Sequence, residues 1–182
     1  MRVLNGLTLA TLAALATGAC MTDGAATAAA EQEEPEAGAA LVGANGQSMA
    51  EAHVIQVRGL LRVELEAAGL RPGTYGAHIH SVGRCDPPGF ESAGPHWNPG
   101  GRRHGSENPQ GPHQGDLPNV EVDAGGRGLI IFAVENASLK GANPLLDADG
   151  AAVVVHADTD DYRTDPSGNS GARIACGVLH SG

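Results

Sequence analysis

His53-Val54-Ile55-Gln56-Val57, followed shortly by Leu61-Arg62-Val63-Glu64-Leu65, decides the fold. Both pieces have period-two character, as a strand with one face on a core requires, and their β-branched residues suit a pleated surface. Working outward, further strand-like pieces are predicted at residues 75–81, 120–123, 129–134 and 151–156. Turn signals separate them: Arg71-Pro72-Gly73, Asp123-Ala124-Gly125-Gly126 and Asp147-Ala148-Asp149-Gly150. There is no long helical period and no internal repeat. Short strands joined by Gly-rich turns predict an all-β chain, an antiparallel sandwich or barrel.

The totals agree with that reading. A chain of 182 residues with 27 Gly and 3% aromatic residues has room for one domain of short strands and many turns. A formal charge of −10 argues against nucleic acid as a partner, because phosphates would be repelled. It does not exclude a small anionic substrate, since the local field in a cleft can oppose the net charge.

The N-terminus reads as a processing signal. Arg2 gives a minimal positive region, and Leu7 to Ala19 is uncharged, mostly apolar and too short to span a membrane. Thr17-Gly18-Ala19-Cys20 resembles a bacterial lipoprotein cleavage box, with Cys20 as the lipidated residue and Thr17 where Leu is usual. The other reading is ordinary secretory cleavage in the Ala-rich stretch that follows. Either way export is expected, to the periplasmic side of a bacterial cell envelope, with membrane contact only through a lipid at Cys20. Residues 21–45, Ala-rich with a Glu cluster, read as a solvated tether, and 46–182 as the folded domain. With Cys20 set aside, Cys85 and Cys176 remain, and an oxidising compartment favours a disulfide over two free buried thiols.

Two stretches break the strand rhythm: residues 82–119, rich in proline and glycine, and the more acidic 157–172. A loop as long as the first needs ties other than secondary structure. It carries Cys85 and a row of histidines. His78-Ile79-His80 is an H-x-H pair on a predicted strand, so both imidazoles point to one face. His96, His104, His113 and Asp116 follow in the loop, and His156 ends an apolar strand. Each piece alone is weak; together they predict a two-metal site. Four imidazoles suit copper(II), and three imidazoles with a carboxylate suit tetrahedral zinc. These seven residues would have to fill eight positions, so one imidazole would serve both ions. His53 and His180 lie outside the pattern and read as surface residues.

At these residues the sequence resembles the copper/zinc superoxide dismutase family. The resemblance rests on Gly76-Ala77-His78-Ile79-His80, Ser92-Ala93-Gly94-Pro95-His96-Trp97-Asn98-Pro99, His104-Gly105 and Gly111-Pro112-His113-Gln114-Gly115-Asp116-Leu117-Pro118-Asn119. It continues through Val154-Val155-His156-Ala157, Asp160-Asp161 and Gly168-Asn169-Ser170-Gly171-Ala172-Arg173-Ile174-Ala175-Cys176-Gly177-Val178. It implies a Greek-key β-sandwich or flattened barrel with two long functional loops. It also implies conversion of superoxide to dioxygen and hydrogen peroxide by copper redox cycling, with one copper and one zinc ion per subunit. Copper would be held by His78, His80, His96 and His156, and zinc by His96, His104, His113 and Asp116, with His96 as the bridge. Asp160 would link His78 to His104, Arg173 would guide the anion, and Cys85–Cys176 would tie the long loop down.

Ala77 departs from the family, which usually has Phe there. The Asp86-Pro87-Pro88-Gly89-Phe90 insert and the leader resemble bacterial envelope members. Because the dimer interface differs between branches, monomer and homodimer both stay open. So do a non-catalytic copper-binding or copper-delivery module on this fold, a copper-only dismutase and a purely structural disulfide-closed domain. Relatives of the first two kinds lose a ligand or the arginine, and the third leaves the histidine spacing unexplained.

Overall fold

The computed structural model describes residues 35–182; the leader expected over 1–20, Cys20 and the start of the tether lie outside them. The strands are β1 (Glu36–Gly43), β2 (Ser48–Val57), β3 (Leu60–Ala67), β4 (Gly73–Tyr75), β5 (Ala77–His80), β6 (Val120–Val122), β7 (Gly128–Glu135), β8 (Ala152–His156), β9 (Arg173–Val178) and β10 (His180–Ser181). Among the described residues the only helical piece is a 3-10 turn at Glu91–Ala93. One curled sheet runs in the order β5-β8-β9-β1-β2-β3-β7, with β10 also on β1; β4 and β6 form a separate ribbon. All named strands pair antiparallel.

The opening stretch forms the β2–β3 hairpin. Val57 pairs with Leu60, leaving Arg58 and Gly59 as a two-residue connection, both with positive φ (45° and 89°), the geometry that matches strand twist. Along β3, Leu61, Val63, Leu65 and Ala67 are buried while Arg62 and Glu66 face water. Burying each such large apolar side chain contributes about 1.5–3 kcal/mol.

β5 and β8 differ, being buried on both faces. Ala77, Ile79, Val153, Val155 and Ala175 join the main core, whereas Ala152, Val154 and Cys176 face the other way and pack with Phe90 and Ala93 of the long loop. The loop is thus a lid on the sheet's outer side. Cys85–Cys176 pins it there, with the two Cα atoms 5.7 Å apart. The loop also fills the free edge of β5: Ile79 N–H donates to Gly115 O (2.8 Å) and Trp97 N–H to Ile79 O (2.8 Å). These are the ties that a long structureless loop requires.

Two expectations are corrected. Residues 36–43, assigned to the tether, form β1, which lies between β2 and β9, so the domain begins at Glu36 rather than near Gly46. Ala37, Ala39 and Leu41 alternate into the core, but alanines among Glu and Gly give a weak apolar signal. The single strand expected over 75–81 is two, because the chain leaves the β4–β6 ribbon after Tyr75 and joins β8 from Ala77. β9 and the short β10 were absent from the predicted strands.

Candidate metal centre

Strand parity assembles half of the site. His78 pairs with Val154 and His80 with Ala152, so both imidazoles stand on the outer face of the sheet, under the loop. His156 continues that face just past a register shift between Val155 and His156. The loop supplies the rest: His96 bridges to His80, and Asp116 to His78, at β5's free edge.

Two donor sets result. His78 Nδ1, His80 Nε2, His96 Nε2 and His156 Nε2 are buried without a hydrogen-bond partner, and the ligating atoms of these four residues lie within 4.8 Å of one another. A buried polar atom left unpaired costs about 1–3 kcal/mol, so four converging ones fit a metal ion. In the second set, Asp116 Oδ1 lies 2.8 Å from His96 Nδ1, 3.0 Å from His104 Nδ1 and 3.1 Å from His113 Nδ1. His96 Nδ1 and His113 Nδ1 are 3.4 Å apart. Metal–ligand bonds of about 2.0–2.2 Å in a tetrahedron give edges of about 3.3–3.6 Å. The observed separations of 2.8–3.4 Å are drawn in by a few tenths of an ångström from that size. His78 also comes within 4.8 Å of His96, His104 and Asp116. However, its Nε2 is taken by Asp160 and its Nδ1 belongs to the first set, so His113 is the better fourth member. His96 is the ring common to both sets, one nitrogen to each.

The opposite ring nitrogens are held in turn. His78 Nε2 and His104 Nε2 meet the two oxygens of Asp160 at 2.7 and 3.0 Å. His80 Nδ1 donates to Gly94 O (2.8 Å) and His156 Nδ1 to Gly171 O (3.2 Å). Such outer partners fix tautomer and ring orientation. Asp160 is itself clamped by Asn119, whose amide donates to Asp160 O (2.9 Å) and accepts from Asp160 N–H (2.9 Å). Tyr162 N–H donates to Asp160 Oδ1 (2.7 Å). A Cβ at Gly168 (φ +63°) would fall 1.7 Å from Asp160 Oδ1, so only glycine fits there. Sequence reasoning gave Asn119, Tyr162 and Gly168 no role; a polar residue after Leu117-Pro118 was the only local hint.

Burial sets the charge states. It pushes His78 down to about 3 against the pull of Asp160, His156 down to about 4, and His80 and His96 below their ordinary value. Four neutral imidazoles with free lone pairs are what a metal ion needs. Burial would also lower His104, but hydrogen bonds to Asp116 and Asp160 outweigh it and raise it to about 9. Both carboxylates are held well below their usual range by their histidines, despite burial.

A cleft of about 980 Å³ opens onto the first set, lined by His80, His96, His156 and Arg173. The Arg173 guanidinium is fixed by donating to Phe90 O (2.7 Å) and Gly94 O (2.8 Å). Every metal-site residue expected from the sequence is therefore in this one region, and Arg173 lies at its mouth.

Residues 46–179 match the family described as copper/zinc superoxide dismutase. The chain is 41% identical over 150 residues to superoxide dismutase [Cu-Zn] 1 of Aquifex aeolicus, covering 81% of this chain and 89% of that one. It is 46% identical over 121 residues to superoxide dismutase [Cu-Zn] of Caulobacter vibrioides, covering 64% and 70%. The solved structure of a superoxide dismutase-like protein from Bacillus subtilis superposes with a TM-score of 0.74 at 44% identity, over 79% of this chain and 97% of that one. A match running from β2 through β9, with relatives at this level of identity, means that the chain belongs to the copper/zinc superoxide dismutase family.

Proposed function

We propose that the chain is a superoxide dismutase that holds copper at His78, His80, His96 and His156 and zinc at His96, His104, His113 and Asp116. The single observation that carries this is the His96 ring, whose Nε2 belongs to an all-imidazole set and whose Nδ1 belongs to a set with a carboxylate. When bound, copper supplies the one-electron couple that takes an electron from one superoxide and gives one to the next.

The chain's own residues do the remainder. The domain is acidic and the substrate an anion, so a fixed cation beside the cleft is what draws it in; Arg173 is that cation. Its two backbone hydrogen bonds keep the guanidinium in place before substrate arrives, which lowers the cost of ordering it on binding. His96 lines the cleft, and with its Nδ1 given to zinc a proton on this ring would be held at Nε2, available to a departing peroxide. Asp160 keeps His78 and His104 from rotating. A copper-storage role on the same fold would need neither a pre-fixed arginine nor an open cleft.

We further propose an exported, envelope-facing protein anchored through a lipid at Cys20; the leader, with Arg2 before an uncharged stretch that ends in Thr17-Gly18-Ala19-Cys20, and the Cys85–Cys176 disulfide support it. Metal analysis combined with a superoxide assay tests the main reading. Chelated protein should be inactive, zinc alone should not restore turnover, and copper with zinc should. Full activity with zinc alone would refute the mechanism.

A further inference from the structure

His53 and His180 take no part in the centre and are far apart in sequence, yet the sheet brings them to one spot. Gly38 of β1 pairs with His53 of β2 on one side and with His180 of β10 on the other. Cross-strand partners share a face, so both imidazoles stand on the same side as the hydrogen of Gly38. That side is the outer one: Ala37 and Ala39 are buried beneath, and His53 and His180 are exposed. Strand spacing puts the two histidine Cα atoms about 10 Å apart, with no side chain between them. The His53 ring leans into that gap, its Nδ1 only 3.8 Å from where a Cβ at position 38 would be.

A carboxylate borders the same gap. Glu36 precedes Gly38 by two residues on the same face and is exposed. Its Oε1 lies 3.3 Å from where a Cβ at Gly182 would be, and Gly182 is on the same face as His180.

We propose that Glu36, His53 and His180 form a surface site for a divalent transition-metal ion, zinc(II) or copper(II), separate from the buried centre. Two imidazoles and a carboxylate are donors both ions accept, and water completes the shell. All three side chains are exposed, so closing the chelate takes only rotations about their χ angles. Gly38 is the residue that makes room, since any larger side chain there would stand between the rings.

The test uses tag-free protein already loaded with copper and zinc, titrated with zinc chloride by calorimetry and, in parallel, with copper(II) by electron paramagnetic resonance. The parent protein should take up one further equivalent. Loss of even an outer-sphere partner costs roughly 10–100-fold in affinity, so His53→Ala and His180→Ala should each weaken the added equivalent by about tenfold or more. Gly38→Val, which keeps both histidines, should do the same, and Glu36→Gln should weaken it less. Superoxide turnover should be unchanged in all four variants. No further equivalent in the parent, or one that survives loss of both histidines, would overturn the proposal.

Discussion

At the scale of single residues, His156 separates the two donor sets, because it comes from the sheet and belongs to the first set alone, meeting the second only through the shared His96. His156→Ala should lose copper while largely keeping zinc, measurable by metal analysis after dialysis; equal loss of both would mean the division of ligands is wrong. Arg173→Gln should lower the rate by about tenfold, the lower end of steering effects, and flatten its dependence on ionic strength. An unchanged rate would remove the arginine from the mechanism. The shifted histidines also set a pH response in metal-free protein. His78 and His156 lie near 3 and 4, below the unfolded value of 6.5, so the unfolded chain takes up their protons first as pH falls. Stability present above pH 6.5 is therefore lost downward, at up to about 1.4 kcal/mol per pH unit for each group. His104, raised to about 9, gains as pH falls toward 6.5, but its contribution is complete below that and does not offset the loss there. Urea midpoints at pH 6.5, 5.5 and 4.5 should fall in that order; a flat series would contradict the burial argument. The ligands were legible in the sequence because H-x-H spacing on a strand and loop histidines state their chemistry directly. The roles of Asn119 and Tyr162 were not, because the contacts that fix them, Asn119 to the Asp160 carbonyl and Asn119 N–H to the Tyr162 hydroxyl, span 41 and 43 positions, which strand periodicity does not report.

The element that matters most is the loop over the outer face of β5, β8 and β9. It brings all four residues of the second set, and it is held by the disulfide, the Phe90–Ala93 cluster and the edge of β5. Closing a loop across a sequence separation of 91 is worth about 4–5 kcal/mol in the chain-entropy model. Cys85→Ser with Cys176→Ser should therefore lower thermal stability strongly and weaken zinc retention more than the H-x-H strand's own fold. Circular dichroism and zinc release on heating would show it, and zinc retention equal to the parent would show that the other ties suffice. The β2–β3 hairpin was readable because large aliphatic residues alternate with charged ones. β1 was not, because alternation carried by alanine and glycine looks like a polar tether until β2 and β9 are seen on either side of it.

For the whole molecule, β1 is the strand that joins two halves of the sheet. A chain starting at Gly46 would leave unpaired edges on both β2 and β9 and expose the core around Leu41's place. Such a truncation should be insoluble or monomer-unstable, whereas one starting at Pro35 should fold; a folded protein from Gly46 by circular dichroism would refute the role given to β1. The global class followed from strand rhythm and turns, but which strands neighbour each other depends on long-range pairing that periodicity does not encode. The sharing of one imidazole by a sheet-held set and a loop-held set has a thermodynamic consequence. In the assignment proposed above the two ions would not be independent ligands of the protein: whatever factor zinc contributed to copper affinity, copper would return to zinc. Each ion would hold the ring that the other needs, coupling the two halves of the site.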